Sequence, residues 1–137
     1  MTNRVIVFGS RSWPLEYYQY IYDRLVRLPA STTIVHGACL SGADWWANQI
    51  AGVLRFDIER HPACWKPNGP QGRTDYSAGP RRNRHMASLG AELAIGFRMH
   101  GKSNGTDNMA AECELARIPV ERHGWDWVRG AWDRVAG

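Results

Sequence analysis

The sequence predicts an α/β fold, a parallel sheet of about five strands flanked by helices on both faces. Two observations predict it. Short β-branched apolar runs alternate with stretches of helical period along the chain. The first two runs, residues 4–8 and 32–36, each end on a glycine, Gly9 and Gly37, and each is followed by turn residues and a helix signal.

The elements follow in order. Residues 4–8 read as a buried strand, and Gly9, Ser10, Arg11 and Ser12 form the turn leaving it. Ser12 or Trp13 caps a helix with Pro14 at its first position; Leu15, Tyr18, Tyr22, Leu25 and Leu28 keep helical spacing until Pro29 stops it. Residues 32–36 are the second strand. A helix starts near Gly42, with Ala43, Trp46, Ala47, Ile50 and Leu54 on one face. Residues 56–60 form a shorter strand whose polar residues place it at an edge. Residues 61–78 are rich in Pro and Gly and lack a period, the pattern of a lid, a binding loop or a disordered segment.

Gly79 and Pro80 then open a helix that Gly90 closes. Residues 92–97 are the next strand, and 98–104 a polar loop. Gly105 and Thr106 open another helix, with Met109, Cys113 and Ala116 inward, and residues 118–121 are the last strand. After Gly124, the residues Trp125, Val128, Trp132 and Val135 form an apolar stripe. It reads as a helical extension over 124–136 that covers the core or meets a second subunit. No internal repeat is visible, so residues 1–137 read as one domain with its core over 4–122.

Composition bounds the function. The chain has 137 residues, 44% of them hydrophobic, with seven tryptophans, enough for a real core. Its formal charge is +4 and its pI about 9.3, which suits anionic ligands and permits nucleic acid without demanding it. Arginine supplies 15 of the 17 basic residues, a bias that a GC-rich genome explains as well as function does. Cys39, Cys64 and Cys113 are widely spaced, with no disulfide framework or zinc pattern. No signal peptide and no apolar run of about 18 residues is present, so the expected location is cytoplasmic, with no membrane partner. His61 and Cys64 have a spacing that touches a metal in other settings, but two ligands make no site, and neither metal nor cofactor is expected.

The chemistry-bearing stretch runs from Gly79 through Arg81, Arg82 and Asn83 to Met86. A helix N-terminus carries free N–H groups and attracts anions, and arginines in its first turn add forked donors for phosphate oxygens. The alternative is a solvated basic helix start. In a parallel sheet, ligands bind beyond the carboxyl ends of the strands where strand order reverses. Four turns lie at that edge: Gly9 with Ser10 and Arg11, His36–Gly37 with Gly42, Gly79, and Gly105 with Thr106. Neither GxGxxG nor GxxxxGK[ST] is present, which argues against ordinary NAD binding and P-loop chemistry.

These turns, in order, resemble the SLOG superfamily. The residues that carry the resemblance are Val5 to Arg11, His36–Gly37 with Ser41 to Asp44, His61 to Ala63, Ala78 to Asn83, Asn104 to Met109, and Ile118 to Val120. The match is most similar to the small YspA-like branch and spans residues 4 to 122. It implies a Rossmann-like three-layer sheet that binds nucleotides or nucleotide-derived ligands. Relatives include the "lonely guy" phosphoribohydrolases, which cleave nucleoside 5′-monophosphates at the N-glycosidic bond, the DNA-processing protein A branch, which binds single-stranded DNA, and sensors of ADP-ribose-type signals. Many YspA-like members are bacterial or phage proteins. A homodimer or higher homo-oligomer is also implied.

The phosphoribohydrolases carry PGGxGTxxE and an Arg-Lys pair followed by a methionine. Here Arg82 and Met86 fit the second motif, with Asn83 in the lysine position, and Gly105–Thr106 fit the first. The acidic position is Met109, and methionine cannot stabilise an oxocarbenium-like state. Asp44, Asp107, Glu112 and Glu121 are the acids available to replace it. The binding half of the site is kept and the catalytic half altered, so the expectation is a sensor or sequestering protein with Arg82 as the candidate catalytic residue if there is chemistry.

The candidate ligand residues are Gly9, Ser10, Arg11, His36, Gly37, Gly42, Asp44, Gly79, Arg81, Arg82, Asn83, Gly105, Thr106 and Asn108. Each has a structural alternative: strand-end turns for the glycines, a surface role for Arg11, a satisfied core histidine for His36, a first-turn acid for Asp44, loop stitching for Asn83. Trp65 and Tyr76 stack on a base or pack their loop. Hydrolysis of nucleoside monophosphates is the second expectation. Single-stranded nucleic-acid binding, from basic charge and loop aromatics, is the third.

Overall fold

The computed structural model describes residues 3–127. Five strands form one sheet: β1 (Asn3–Gly9), β2 (Thr32–His36), β3 (Asp57–Arg60), β4 (Leu93–Arg98) and β5 (Val120–Gly124). Their order is β3-β2-β1-β4-β5 and every neighbouring pair is parallel. The helices are α1 (Tyr18–Leu25), α2 (Gly42–Val53), α3 (Ala78–Ser88) and α4 (Asn104–Leu115). This is a Rossmann-like α/β fold.

The alternation of side chains along β1 builds the three layers. Val5 and Val7 pack with Ile21 and Leu25 of α1 and Ala47 and Ile50 of α2. Ile6 and Phe8 pack on the other face with Met86 of α3 and Met109 and Cys113 of α4. Both faces of β1 are thus buried, which is why it reads as an unbroken apolar run. Each such side chain contributes about 1.5–3 kcal/mol of burial. The chain steps outward from β1 to β2 to β3, then returns to lay β4 on the far side of β1. Residues 61–77 and α3 make that long return. The connections after β1 and β4 leave toward opposite faces, so a crevice opens over their carboxyl ends.

Several boundaries differ from the sequence reading. The first helix starts as a 3-10 turn, Leu15–Tyr17, without a side-chain cap from Ser12 or Trp13. A 3-10 turn has three residues per turn, so Leu15 falls out of phase with α1. Leu15 is 66% exposed and Tyr18 is exposed, whereas Leu25 is buried and Tyr22 and Leu28 pack against the core as expected, beside Ile21. Ala116 is exposed because α4 has ended. Arg117 there takes a left-handed φ of 61° and Ile118 N–H bonds back to Cys113 O at 2.9 Å. Ile118 therefore caps α4, and β5 begins only after Pro119. Arg55 and Phe56 close α2 the same way, with φ 63° at Arg55 and a 3.0 Å bond from Phe56 N–H to Ala51 O. Arg98, expected in a loop, is the last residue of β4. The expected extension over 124–136, with Val128, Trp132 and Val135, lies mostly outside the described residues. No helix among the described residues is long and apolar enough to cross a membrane.

Two glycines separate packing from propensity. A Cβ on Gly9 would overlap Phe97 O and come within 2.7 Å of Ala43 Cβ, whereas one on Gly52 in α2 meets nothing within 4 Å. Gly9→Ala is expected to lower unfolding free energy by about 2 kcal/mol or more in denaturant titration. Gly52→Ala is expected to raise it by about 0.5–1 kcal/mol.

Candidate functional site

A pocket of about 280 Å³ fills the crevice at the end of β1. Four segments wall it: the turn Gly9 to Ser12, Gly37 with Asp44 of α2, the α3 residues Gly79, Pro80, Arg82, Asn83 and Met86, and Lys102 to Thr106 with Met109 at the start of α4. All four predicted glycine corners reach the wall, through Gly9, Gly37, Gly79 and Gly105, and Arg11, Arg82 and Lys102 bring positive charge.

Ser10 holds these segments in place. Its N–H bonds to Phe97 O of β4 at 2.9 Å, and its carbonyl accepts from Trp13 N–H and from Ala43 N–H of α2, both at 3.1 Å. Its hydroxyl accepts from Met99 N–H at 2.9 Å and lies 2.8 Å from Ser103 Oγ. Ser103 in turn donates to Thr106 Oγ1 at 2.8 Å. A hydroxyl has one hydrogen. Since Ser103 spends its own on Thr106, Ser10 donates to Ser103, and the Thr106 hydrogen is left to donate. Thr106 lines the pocket and is 4% exposed. The relay thus ends in a donor at the pocket wall, beside the first N–H groups of α4, which no side chain caps.

The opposite wall carries an acceptor. Asp44, 5% exposed, accepts at Oδ2 from Gly37 N–H at 3.1 Å and Cys39 N–H at 3.5 Å. The Cys39 thiol lies against the same carboxyl, and Asp44 lines the pocket. Burial pushes this carboxyl above the usual aspartate range, against the opposing pull of His36, Cys39 and Arg82. Gly37 makes the arrangement fit: a Cβ there would sit 2.6 Å from Arg82 Nη1 and 2.9 Å from Asp44 Oδ2.

Arg82 enters the pocket with its donors largely committed. Nη1 bonds to Gly37 O and to His61 O at 2.9 Å, and Nε bonds to Asn83 Oδ1 at 2.8 Å. Arg81 does not join it. Adjacent residues on a helix point about 100° apart, and Arg81 turns outward to Asp75 at 2.5 Å and to Ser77. The paired clamp read from the sequence is therefore one inward and one outward arginine. Asn83 stitches: its Nδ2 donates to Asn108 Oδ1 at 3.0 Å and to Gly105 O at 3.4 Å, tying α3 to α4. Asn108 supports Asn83 and is absent from the wall.

His36 also stays out of the wall. Its Nδ1 accepts from Ala38 N–H at 2.9 Å, so Nε2 carries the proton and donates to Asn48 Oδ1 at 3.0 Å. Burial lowers its pKa, against the opposing effects of Asn48 and Asp44. Gly42 serves the backbone: φ is +74°, and a Cβ would overlap Ser10 O. Gly79 lies under the Trp65 ring, 2.6 Å from where its Cβ would be, and the same ring stacks 5.3 Å from the Arg11 guanidinium. Trp65 thus packs its loop onto the rim, while Tyr76 is exposed. Gly105 meets nothing within 4 Å. Among the described residues no group of three or more metal-ligating side chains gathers, and His61 Nε2 is bonded to Glu59 at 2.6 Å.

Of the four acids considered as replacements for the missing carboxylate, only Asp44 faces the pocket. Asp107 forms a two-point pair with Arg98 at 2.8 and 3.0 Å, Glu121 one with Arg24 at 2.5 and 3.1 Å, and Glu112 lies 3.6 Å from Arg84. Sequence reading missed Arg98, 3% exposed, whose bonds to Asp107 and to Met99 O anchor the start of α4. A lone arginine after an apolar run carries no signal of burial.

The fold is similar to that of the C-terminal domain of a hydrogenase from Pyrococcus furiosus. The TM-score is 0.50 at 11% identity, covering 88% of this chain and 90% of that one. At this identity the likeness shows the fold alone. No protein-family model and no curated protein matches the chain.

A buried carboxylate with a raised pKa costs stability wherever it is charged. The cost is complete above the folded pKa and disappears below the unfolded value of about 3.9. Asp44→Asn is expected to raise the thermal midpoint of the unliganded protein at pH 7 by roughly 2–6 °C. The gap should close as pH falls toward 4 in a series of melts. A lower midpoint at pH 7 means that Arg82 and the backbone donors outweigh desolvation.

Proposed function

We propose that this chain binds a nucleotide or nucleotide-derived ligand, of the nucleoside monophosphate or ADP-ribose type, at the carboxyl edge of its sheet. The observation that carries the reading is the convergence on one pocket of Gly9, Gly37, Gly79 and Gly105 with Arg82, Lys102 and the uncapped start of α4. Backbone N–H groups at a helix start, a hydroxyl donor and nearby cations form an anion cradle. The ordered turns that resemble the YspA-like branch of the SLOG superfamily support the same ligand class. They also favour a sensor or sequestering role in bacterial or phage nucleotide signalling, as a homo-oligomer. Part of the basic charge is spoken for elsewhere: Arg4, Arg24, Arg81, Arg84, Arg98 and Arg122 each face a carboxylate. The cations that remain at the pocket, Arg11, Arg82 and Lys102, suit a small anionic ligand.

Calorimetric titration with AMP, ADP-ribose and cyclic ADP-ribose tests the reading, with binding to at least one expected. Gly105→Ala is the informative variant. The space at Gly105 is open, so the fold should survive, while the added methyl crowds the cradle; a loss of about tenfold or more in affinity is expected. No heat from any ligand removes the proposal.

Asp44 favours a second reading, N-glycosidic hydrolysis of nucleoside 5′-monophosphates. The sequence placed methionine where the relatives have their acid, and Asp44 brings a carboxylate to the pocket from a different helix. Incubation with a panel of monophosphates, followed by chromatography, is then expected to show free base that Asp44→Ala abolishes.

A further inference from the structure

We infer that Asp44 reads the sugar hydroxyls of a ribonucleoside 5′-phosphate whose phosphate lies at the start of α4, so that the pocket selects ribose over 2′-deoxyribose. The inference rests on the nucleotide reading above and assigns the ligand's orientation within it.

The pocket has two chemically opposite ends. Donors gather at the α4 end: the Thr106 hydroxyl freed by the serine relay, the first N–H groups of the helix, and the Lys102 ammonium. At the α2 end the acceptor is the Asp44 carboxyl, beside an Arg82 guanidinium whose Nε and Nη1 are already bonded to Asn83, Gly37 O and His61 O. A phosphate fits the first end, where uncommitted donors gather, and the Asp44 carboxyl adds no attraction for it at the second. Asp44 therefore requires a neutral donor. It is nearly sealed from water, and an unpaired carboxylate there is costly, so a ligand that supplies a hydroxyl gains what one without it forfeits.

The spacing fits a sugar. Gly37, which bonds Asp44, follows β2, and the α4 start follows β4, with β1 between them. At the ordinary strand spacing the ends of β2 and β4 stand about 10 Å apart. In a nucleoside 5′-phosphate the ribose hydroxyls are the nearest donors to the phosphate, closer than the far edge of the base. A base amine at Asp44 would leave the sugar between the two ends without a polar partner. With the hydroxyls on Asp44, the base extends toward the rim formed by Arg11 and Trp65.

The test is calorimetric titration of the full chain with four pairs of 5′-monophosphates, each a ribonucleotide and its 2′-deoxy counterpart, with ADP-ribose alongside. For any base that binds, the ribo member is expected to bind at least about tenfold more tightly. In Asp44→Asn the gap should narrow to less than about threefold, because the amide keeps one acceptor and loses the charge. Thr106→Val should weaken both members of a pair equally, since it acts at the phosphate end. A deoxy member that binds within about threefold of its ribo partner in the unaltered protein overturns the inference and leaves the nucleotide reading standing, and this comparison needs no variant to fold. Binding of ADP-ribose with no monophosphate pair binding does the same. Silence from every ligand overturns both.

Discussion

Ser10 is the constraint on which the pocket depends. One small residue at the end of β1 satisfies Phe97 of β4, Ala43 of α2, Trp13 ahead of α1 and, through its hydroxyl, Met99 and Ser103 before α4. Each bond is modest, about 0.5–1.5 kcal/mol. Together they set where three helices begin relative to one strand end. A larger side chain would not fit at this buried position, and alanine would leave Met99 N–H without its acceptor. The residue neither has an unusual pKa nor carries charge. Its importance comes from being where the strand ends meet.

Charge is distributed around that hub with a sign. The sheet's edges are held by ion pairs, Arg4 with Glu59 toward β3 and Arg24 with Glu121 at β5. These are partly exposed and contribute little each. The arginine that enters the pocket spends its donors on the carbonyls of Gly37 and His61. It therefore positions the chain around Asp44 as much as it offers charge to a ligand. The buried carboxylate then faces a wall of donors across the cavity. Such an arrangement costs folding stability and is retained in a site where a ligand can complete it.

The return from β3 to β4 explains the rest of the local design. The chain must pass from an edge of the sheet back past its centre, and residues 61–77 do so before α3 begins. Trp65 fixes this segment over Gly79 and against Arg11. The loop is therefore tied to the pocket rim by an aromatic ring, and the glycine at the start of α3 is there to admit that ring.

The α/β class, the five strands and the four glycine turns were legible because they depend on local pattern: apolar runs of β-branched residues, helical spacing, and glycine where a chain must turn. Beyond these, Gly9, Ser10, Gly37, Asp44, Arg82 and Gly105 could be nominated because a parallel sheet brings its carboxyl ends to one edge. Sequence alone could not tell Arg81 from Arg82, since which of two neighbours faces inward depends on the rotation of α3 about its axis. Nor could it separate Asp44 from Asp107, Glu112 and Glu121, because the partners that occupy the other three lie between 9 and 97 residues away in the chain. Only the start of the first helix was misread, at Leu15 and Tyr18, because a 3-10 turn leaves no compositional mark. Local pattern determined that a pocket edge would exist, and long-range packing decided which groups look into it, because a side chain's direction is set by neighbours that only the folded chain brings near.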